Sequence, residues 1–310
     1  MTHPLHPETA AWLGSFPDGP GFDFSQLSAV EFRAAFEAPS PTSQGAPMFD
    51  VSDRMIETGS GAILIRIYRP LEAEQLPATI FFHGGGFVIG GPDMTDSMCR
   101  TLAVESGGLV VSVHYRLAPE APFPCGLEDS YAALQWVSSH ADELGIDDRR
   151  IAVAGDSSGG NFAAALAQIS LDEGPAICHQ LLLYPALDSA CSSESFATFA
   201  DGYFLTSEMM RWFWRQYLPS PDIGTDVRAS PIRRADLTGL APATIVTAEC
   251  DVLRDEAEAY GAALLYAGVP VYCRRWHGQV HGFLLQQGVL ADADKALKDA
   301  GQALRLAFIP

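Results

Sequence analysis

Basic residues are scarce in this 310-residue sequence: 19 Lys and Arg stand against 38 Asp and Glu, for a formal net charge of −19 and a sequence pI near 4.6. A surface of that sign repels phosphate backbones and anionic headgroups, which argues against nucleic acid and membranes as partners. No apolar run approaches the roughly eighteen residues that a membrane-spanning helix needs. The start, Met1-Thr2-His3-Pro4-Leu5-His6-Pro7-Glu8, lacks the basic residues and apolar centre of a secretion signal. A soluble, cytoplasmic protein is expected.

Cysteine is sparse too. The six cysteines, Cys99, Cys125, Cys178, Cys191, Cys250 and Cys273, form no C-x-x-C pair, which suits reduced buried thiols better than a disulfide frame or a zinc site. Neither a metal nor a cofactor is expected. A nucleotide loop is also missing: no Lys-Ser/Thr follows Gly84-Gly85-Gly86, and Ile89 stands where G-x-G-x-x-G requires its last glycine. The 28 Gly and 21 Pro are dispersed, so no low-complexity linker divides the chain.

Hydrophobic residues make up 48% and are spread evenly, enough for one large core. Residues 1–50 contain short helical pieces, such as Leu27 to Phe36, separated by Pro17, Gly19, Pro20, Pro39 and Pro41. These pieces are too small for a core of their own and are expected to lie across another surface. Ile63 to Tyr68 alternates and stops at Pro70, as an outer strand would. Pro77–Phe82, Leu109–Val113, the run from Ile151, Leu181–Leu183, Ala243–Ala248 and Val271–Trp276 read as further strands. Helical spacing falls at about Asp93–Ser106, Leu127–His140, Arg254–Ala267 and Asp292–Ala307. Strands alternating with helices specify a mostly parallel sheet covered on both faces, with ligands at the carboxyl ends of the strands.

The chain centres on Ala152-Val153-Ala154-Gly155-Asp156-Ser157-Ser158-Gly159-Gly160-Asn161. An apolar strand runs through Gly-x-Ser-x-Gly into a small-residue helix, the layout of a nucleophile elbow with Ser157 at its tip. Gly155 and Gly159 leave room for the tight turn. The helix N-terminus places partial positive charge at the Ser158 amide, where an oxyanion would rest. A second turn, His83-Gly84-Gly85-Gly86-Phe87, follows a buried strand and exposes unobstructed amides, a way to build the other half of an oxyanion hole. His83 precedes that turn and is read as structural; Asp156 is read as a brace.

A serine hydroxyl needs a base, and the base needs an acid to set its tautomer. On an elbow fold the members follow in the order serine, acid, histidine. Ser157, Asp251 and His281 fit that order. Glu249, Asp255 and Glu256 are rival acids and His277 is a rival base, whereas His114, His140 and His179 precede or miss the order. Between Pro185 and Ala243 the strand pattern breaks into an aromatic-rich helical segment. Phe204, Met209, Met210 and Phe213 are the candidates there for a substrate pocket under a lid.

Five motifs carry a resemblance: His83-Gly84-Gly85-Gly86-Phe87, Tyr115-Arg116-Leu117-Ala118-Pro119-Glu120, Gly155-Asp156-Ser157-Ser158-Gly159-Gly160, Asp251-Val252-Leu253-Arg254-Asp255-Glu256 and His281-Gly282-Phe283. Together they resemble the hormone-sensitive-lipase-like carboxylesterases of the α/β-hydrolase fold, from about residue 60 onward. The resemblance implies Ser157 as nucleophile, Asp251 as acid and His281 as base, with the oxyanion held by amides of Gly84, Gly85, Gly86 and Ser158. It also implies a helical cap: residues 1–50 and 188–235 as cap, 51–187 and 236–310 as core. Ser158 stands where relatives have Ala, a change that keeps the amide. His277, Gln279 and Val280 also depart from the family pattern and are expected to alter the pocket's electrostatics.

The expected activity is hydrolysis of short- to medium-chain carboxylic esters, a small-molecule substrate class, through an acyl-enzyme. Because His281 acts as a neutral base, activity is expected to fall at acidic pH. A ligand receptor on the same scaffold, or an amidase or acyltransferase, are the alternatives. Assembly state is not encoded in any motif.

Overall fold

The computed structural model describes residues 4–15, 23–36, 45–59 and 61–309. Among these, eight strands form one sheet: β1 (Asp50–Thr58), β2 (Gly61–Arg69), β3 (Leu76–Phe82), β4 (Leu109–His114), β5 (Ile146–Asp156), β6 (His179–Leu183), β7 (Ala243–Cys250) and β8 (Val271–Val280). Their spatial order is β1-β2-β4-β3-β5-β6-β7-β8. The pairs β1–β2 and β2–β4 are antiparallel and all others parallel, so β3 to β8 end at one edge.

Both faces of the sheet are apolar because helices cover both. The pleat sends alternate residues to opposite cores. Ile80, Phe82, Val111, Val113, Val153 and Leu182 face one core, with helices Cys125–Ser139, Ser158–Glu173 and Arg254–Tyr266 supplying Leu134, Phe162 and Tyr260. Phe81, Val110, Ala152 and Leu183 face the other, against Leu102 of helix Asp96–Ser106 and Leu297 of helix Ala291–Ala307. Truncating a fully buried residue such as Leu182 to Ala would cost about 2–5 kcal/mol.

The first core continues outward into the aromatic segment. Helix Ser207–Tyr217 begins where Thr206 Oγ1 accepts from the Met209 amide at 3.0 Å. It buries Met210, Phe213, Trp214 and Tyr217, one stripe at helical spacing. Phe32, on helix Ala29–Phe36, meets Phe213 edge-on at 5.3 Å, and Trp212 Nε1 donates to Leu27 O at 3.1 Å. The other N-terminal helix, Pro7–Leu13, docks on β8: His6 N donates to Gly278 O at 2.9 Å and Thr9 Oγ1 to Gln279 Oε1 at 2.7 Å. Pro17, Gly19, Pro20, Pro39 and Pro41 lie outside the described residues.

Two expectations need correction, and one strand was not anticipated. The segment around Ile63–Tyr68 is not the outer strand, since β2 is paired on both sides and β1 takes the edge. β1 escaped notice because an edge strand with a wet face needs few apolar residues, and of its nine only Ile56 is buried. Of the six free cysteines, Cys99, Cys191 and Cys250 are buried as expected, whereas Cys125 and Cys178 are half-buried and Cys273 is exposed on β8.

Candidate active site

The elbow forms at the end of β5, where Ser157 takes φ 54° and ψ −117°, a conformation that non-glycine residues avoid. Neighbouring segments hold it there. Ser157 N donates to Leu183 O at 2.9 Å, and Ser157 O accepts from Asn161 N and Ala186 N, each at 3.1 Å. Only glycine fits on either side of the turn: a Cβ at Gly155 would stand 2.3 Å from Gly159, and one at Gly159 would stand 1.9 Å from Phe82 O. The close approach of strand and helix therefore requires both residues.

The three dispersed candidates meet. Ser157 Oγ lies 2.9 Å from His281 Nε2, and His281 Nδ1 lies 2.8 Å from Asp251 Oδ2. An ionised carboxylate only accepts, so Nδ1 carries the proton and Nε2 is left to accept from the serine hydroxyl. Asp251 is buried, and its other oxygen accepts from Leu253 N at 2.9 Å. The Tyr184 ring, 4.7 Å from the imidazole, bounds it on one side.

The rivals are engaged elsewhere. Glu249 accepts from Gly278 N at 2.7 Å and lies 3.4 Å from His277, whose ring is exposed. Asp255 accepts from Ser195 N at 2.8 Å. Glu256 is buried and accepts from Leu187 N at 2.6 Å and Asp188 N at 3.2 Å, and burial pushes its carboxyl well above the usual range. His179 is buried against Thr244, and His140 bonds Trp136 O. Burial lowers the His83 ring to about 4, so it stays neutral; its Nδ1 donates to Gly84 O at 2.7 Å, in keeping with a structural role.

The glycine turn departs from expectation at one residue. Gly84 N donates to Asp156 Oδ1 at 2.7 Å, so its amide is spent on bracing the turn and is withdrawn from the oxyanion set. Among the described residues, the amides of Gly85, Gly86 and Ser158 have no acceptor, and Gly85 and Gly86 border the cavity beside Ser157. A second expectation also changes. Gln279 bonds Thr9 and Asp292, and His277 faces solvent; neither borders the cavity.

That cavity encloses about 150 Å³ and is almost wholly apolar. Phe204, Met209, Met210 and Phe213 border it. So do Phe32, Ile89, Met94, Leu205 and Leu285, which sequence reasoning did not single out. Their aliphatic and aromatic side chains carry no signal that separates a pocket wall from core. A larger, open groove of about 690 Å³ runs along Arg33, His114, Arg116 and Glu120. It holds no nucleophile, and its arginines are paired with Glu120 and Asp129.

An elbow serine, a parallel sheet and a histidine from the last strand's end define an α/β-hydrolase enzyme. A family model described as the α/β-hydrolase fold matches residues 79–285. The carboxylesterase NlhH of Mycobacterium tuberculosis is 44% identical over 288 residues, 90% of this chain and 89% of that protein. The ethyl acetate hydrolase of Pseudomonas putida is 35% identical, covering 97% of this chain and 98% of its own. Among solved structures, the hyperthermophilic esterase of Pyrobaculum calidifontis superposes with a TM-score of 0.92 at 38% identity, covering 99% of this chain and 100% of that one. The chain belongs to the hormone-sensitive-lipase-like carboxylesterase family and is a carboxylic ester hydrolase.

Proposed function

We propose that this hydrolase cleaves short- to medium-chain carboxylic esters through an acyl-enzyme on Ser157. The observation that carries the reading is the continuous relay from Ser157 through His281 to Asp251, at 2.9 and 2.8 Å, beside an apolar cavity. Neutral His281 takes the hydroxyl proton as Ser157 Oγ attacks the ester carbonyl, and Asp251 steadies the imidazolium. The oxyanion rests on the amides of Gly85, Gly86 and Ser158, donors preorganised at a helix N-terminus and a glycine turn. His281 then protonates the departing alcohol, and water repeats the cycle on the acyl group. The relay favours catalysis over a ligand receptor, which needs no base.

The size of the cavity supports small acyl groups. Its 150 Å³, shared between the acyl and alcohol parts of an ester, favours short chains over long fatty ones. The name of the Pseudomonas putida relative, an ethyl acetate hydrolase, agrees with that scale. In this reading the described parts of residues 1–50, namely 4–15, 23–36 and 45–50, form a cap on this side together with 188–235, and Phe32 and Phe213 from its two parts are in contact.

The test is p-nitrophenyl butyrate hydrolysis by wild type and Ser157→Ala, with phenylmethanesulfonyl fluoride labelling read by mass spectrometry. A loss of kcat by about three orders of magnitude or more, with labelling confined to Ser157, is expected. Equal rates in the two proteins would overturn the mechanism.

A further inference from the structure

We infer that Phe204 sets the size of alcohol the site accepts, acting on the leaving-group side of the ester, with Trp12 as its positioning residue. This rests on the acyl-enzyme reading above. In that reaction the Ser157 Oγ–carbon bond forms, the carbon–alkoxy bond breaks, and the proton on His281 Nε2 passes to the departing oxygen. The alcohol group therefore extends from the carbonyl carbon along the His281 side. Whatever stands beside His281 limits the alcohol, and walls elsewhere limit the acyl group.

Phe204 stands beside His281. Gly282 is the next residue in the chain, and a Cβ built on it would meet Phe204 Cε1 at 3.4 Å, so the ring lies on the backbone that carries the histidine. Phe213 occupies a different wall: a Cβ on Gly86 would fall 2.2 Å from its ring, which places it over the glycine turn, backed by Phe32. The two phenylalanines thus border one cavity from different walls, Phe204 beside Gly282 and Phe213 over Gly86.

Two further observations mark Phe204 as more than packing. Its φ is 74°, in the left-handed region that a large non-glycine residue seldom occupies. It is also 41% exposed, although large and apolar. Trp12 packs against the ring, at 5.3 Å between ring centroids. Trp12 in turn sits on helix Pro7–Leu13, which is fastened through His6 and Thr9 to Gly278 and Gln279 on the strand that leads into His281. The contacts close a ring: β8, N-terminal helix, Trp12, Phe204, Gly282. Trp12 itself does not border the cavity.

The experiment compares two substrate series. One holds the acyl group as acetate and varies the alcohol from ethyl to 1-phenylethyl and 1-naphthyl; the other holds p-nitrophenol and varies the acyl chain from acetate to octanoate. Phe204→Gly removes the ring and suits the positive φ. It is expected to raise the kcat/KM ratio of naphthyl to ethyl acetate about tenfold, the range that one or two methylenes of pocket space can command. Its octanoate-to-acetate ratio is expected to stay within about twofold of wild type. Phe213→Ala should do the reverse, and Trp12→Ala should move the alcohol ratio in the same direction as Phe204→Gly by a smaller factor. Should Phe204→Gly fail to fold, Phe204→Leu is read in the same two ratios. An unmoved alcohol ratio, or an acyl ratio that moves as far, overturns the inference. The Ser157→Ala comparison tests the underlying mechanism separately, because it reads total turnover and not a ratio.

Discussion

Gly84 donates its amide hydrogen to Asp156 Oδ1 at 2.7 Å, tying the turn after β3 to the residue that precedes the elbow serine. The two halves of the proposed oxyanion site follow different strands, β3 and β5, and this bond ties them together. Each half alone would be a flexible turn.

Gly84→Ala tests the bond sterically. A Cβ there would lie 2.4 Å from Asp156 Oδ2, so the carboxylate must move and the turn with it. Steady-state kinetics on p-nitrophenyl butyrate should show kcat reduced on the order of tenfold to a hundredfold, with KM changed less. An unchanged kcat would mean that the brace is dispensable.

Asp156 also predicts a pH dependence of stability. Burial pushes its carboxyl up to about 6 from the ordinary 3.8. Between those values the folded protein holds a proton that the unfolded chain has released, so this contribution is complete below the ordinary value and is lost as pH rises through about 6. The loss from this group is about 3 kcal/mol by pH 7. Asp156→Asn cannot ionise. Urea unfolding should find it more stable relative to wild type at pH 8 than at pH 4.5; a difference independent of pH would contradict the assignment.

Glu256 separates hydrogen bonding from charge. Its buried carboxyl, raised well above the ordinary value, accepts from the amides of Leu187 and Asp188, where the chain leaves β6 for the aromatic segment. Glu256→Gln keeps an acceptor of the same shape and is expected to shift stability by less than about 1 kcal/mol at pH 7. Glu256→Ala leaves buried donors unpaired, at a cost of about 2 kcal/mol or more. Thermal melts of both variants decide between the two roles.

Arg33 latches helix Ala29–Phe36, and with it the pocket residue Phe32, to the core. It forks onto Glu120 with two 2.7 Å bonds and donates to Val88 O and Ala118 O at 2.9 and 2.8 Å. The Arg33 guanidinium pulls the Glu120 carboxyl down to about 2. The pair's stabilisation is therefore full above the ordinary carboxylate value and lost as pH falls toward 2. With the Glu120 side chain 59% exposed, solvent screening limits the coupling. A double-mutant cycle should give about 1 kcal/mol at pH 7 and a smaller value at pH 3. A coupling that grew on acidification would rule the latch out.

Much of this site was legible because its chemistry is order-dependent and local. Gly155 and Gly159 around Ser157 announce a turn that nothing else requires, and Asp251 and His281 follow strands in the order an elbow fold dictates. What stayed hidden was long-range. The Gly84 amide looked as available as those of Gly85 and Gly86 until Asp156, 72 residues on, was seen to accept from it. Phe32 and Trp12 read as ordinary apolar positions on short helices, since periodicity says that a face is buried and not against what.

From residue order alone came the elbow, the parallel sheet, the members of the relay and the acidic surface, because strand and helix periods, turn sterics and net charge are properties of neighbouring residues or of simple sums. The three-dimensional packing alone decided which glycine amide is occupied, which strand takes the edge and which aromatics border the cavity beside Ser157. Those are contacts between segments tens to hundreds of residues apart, and only closure of the whole core selects one set of partners from the many that the same hydrophobic pattern allows.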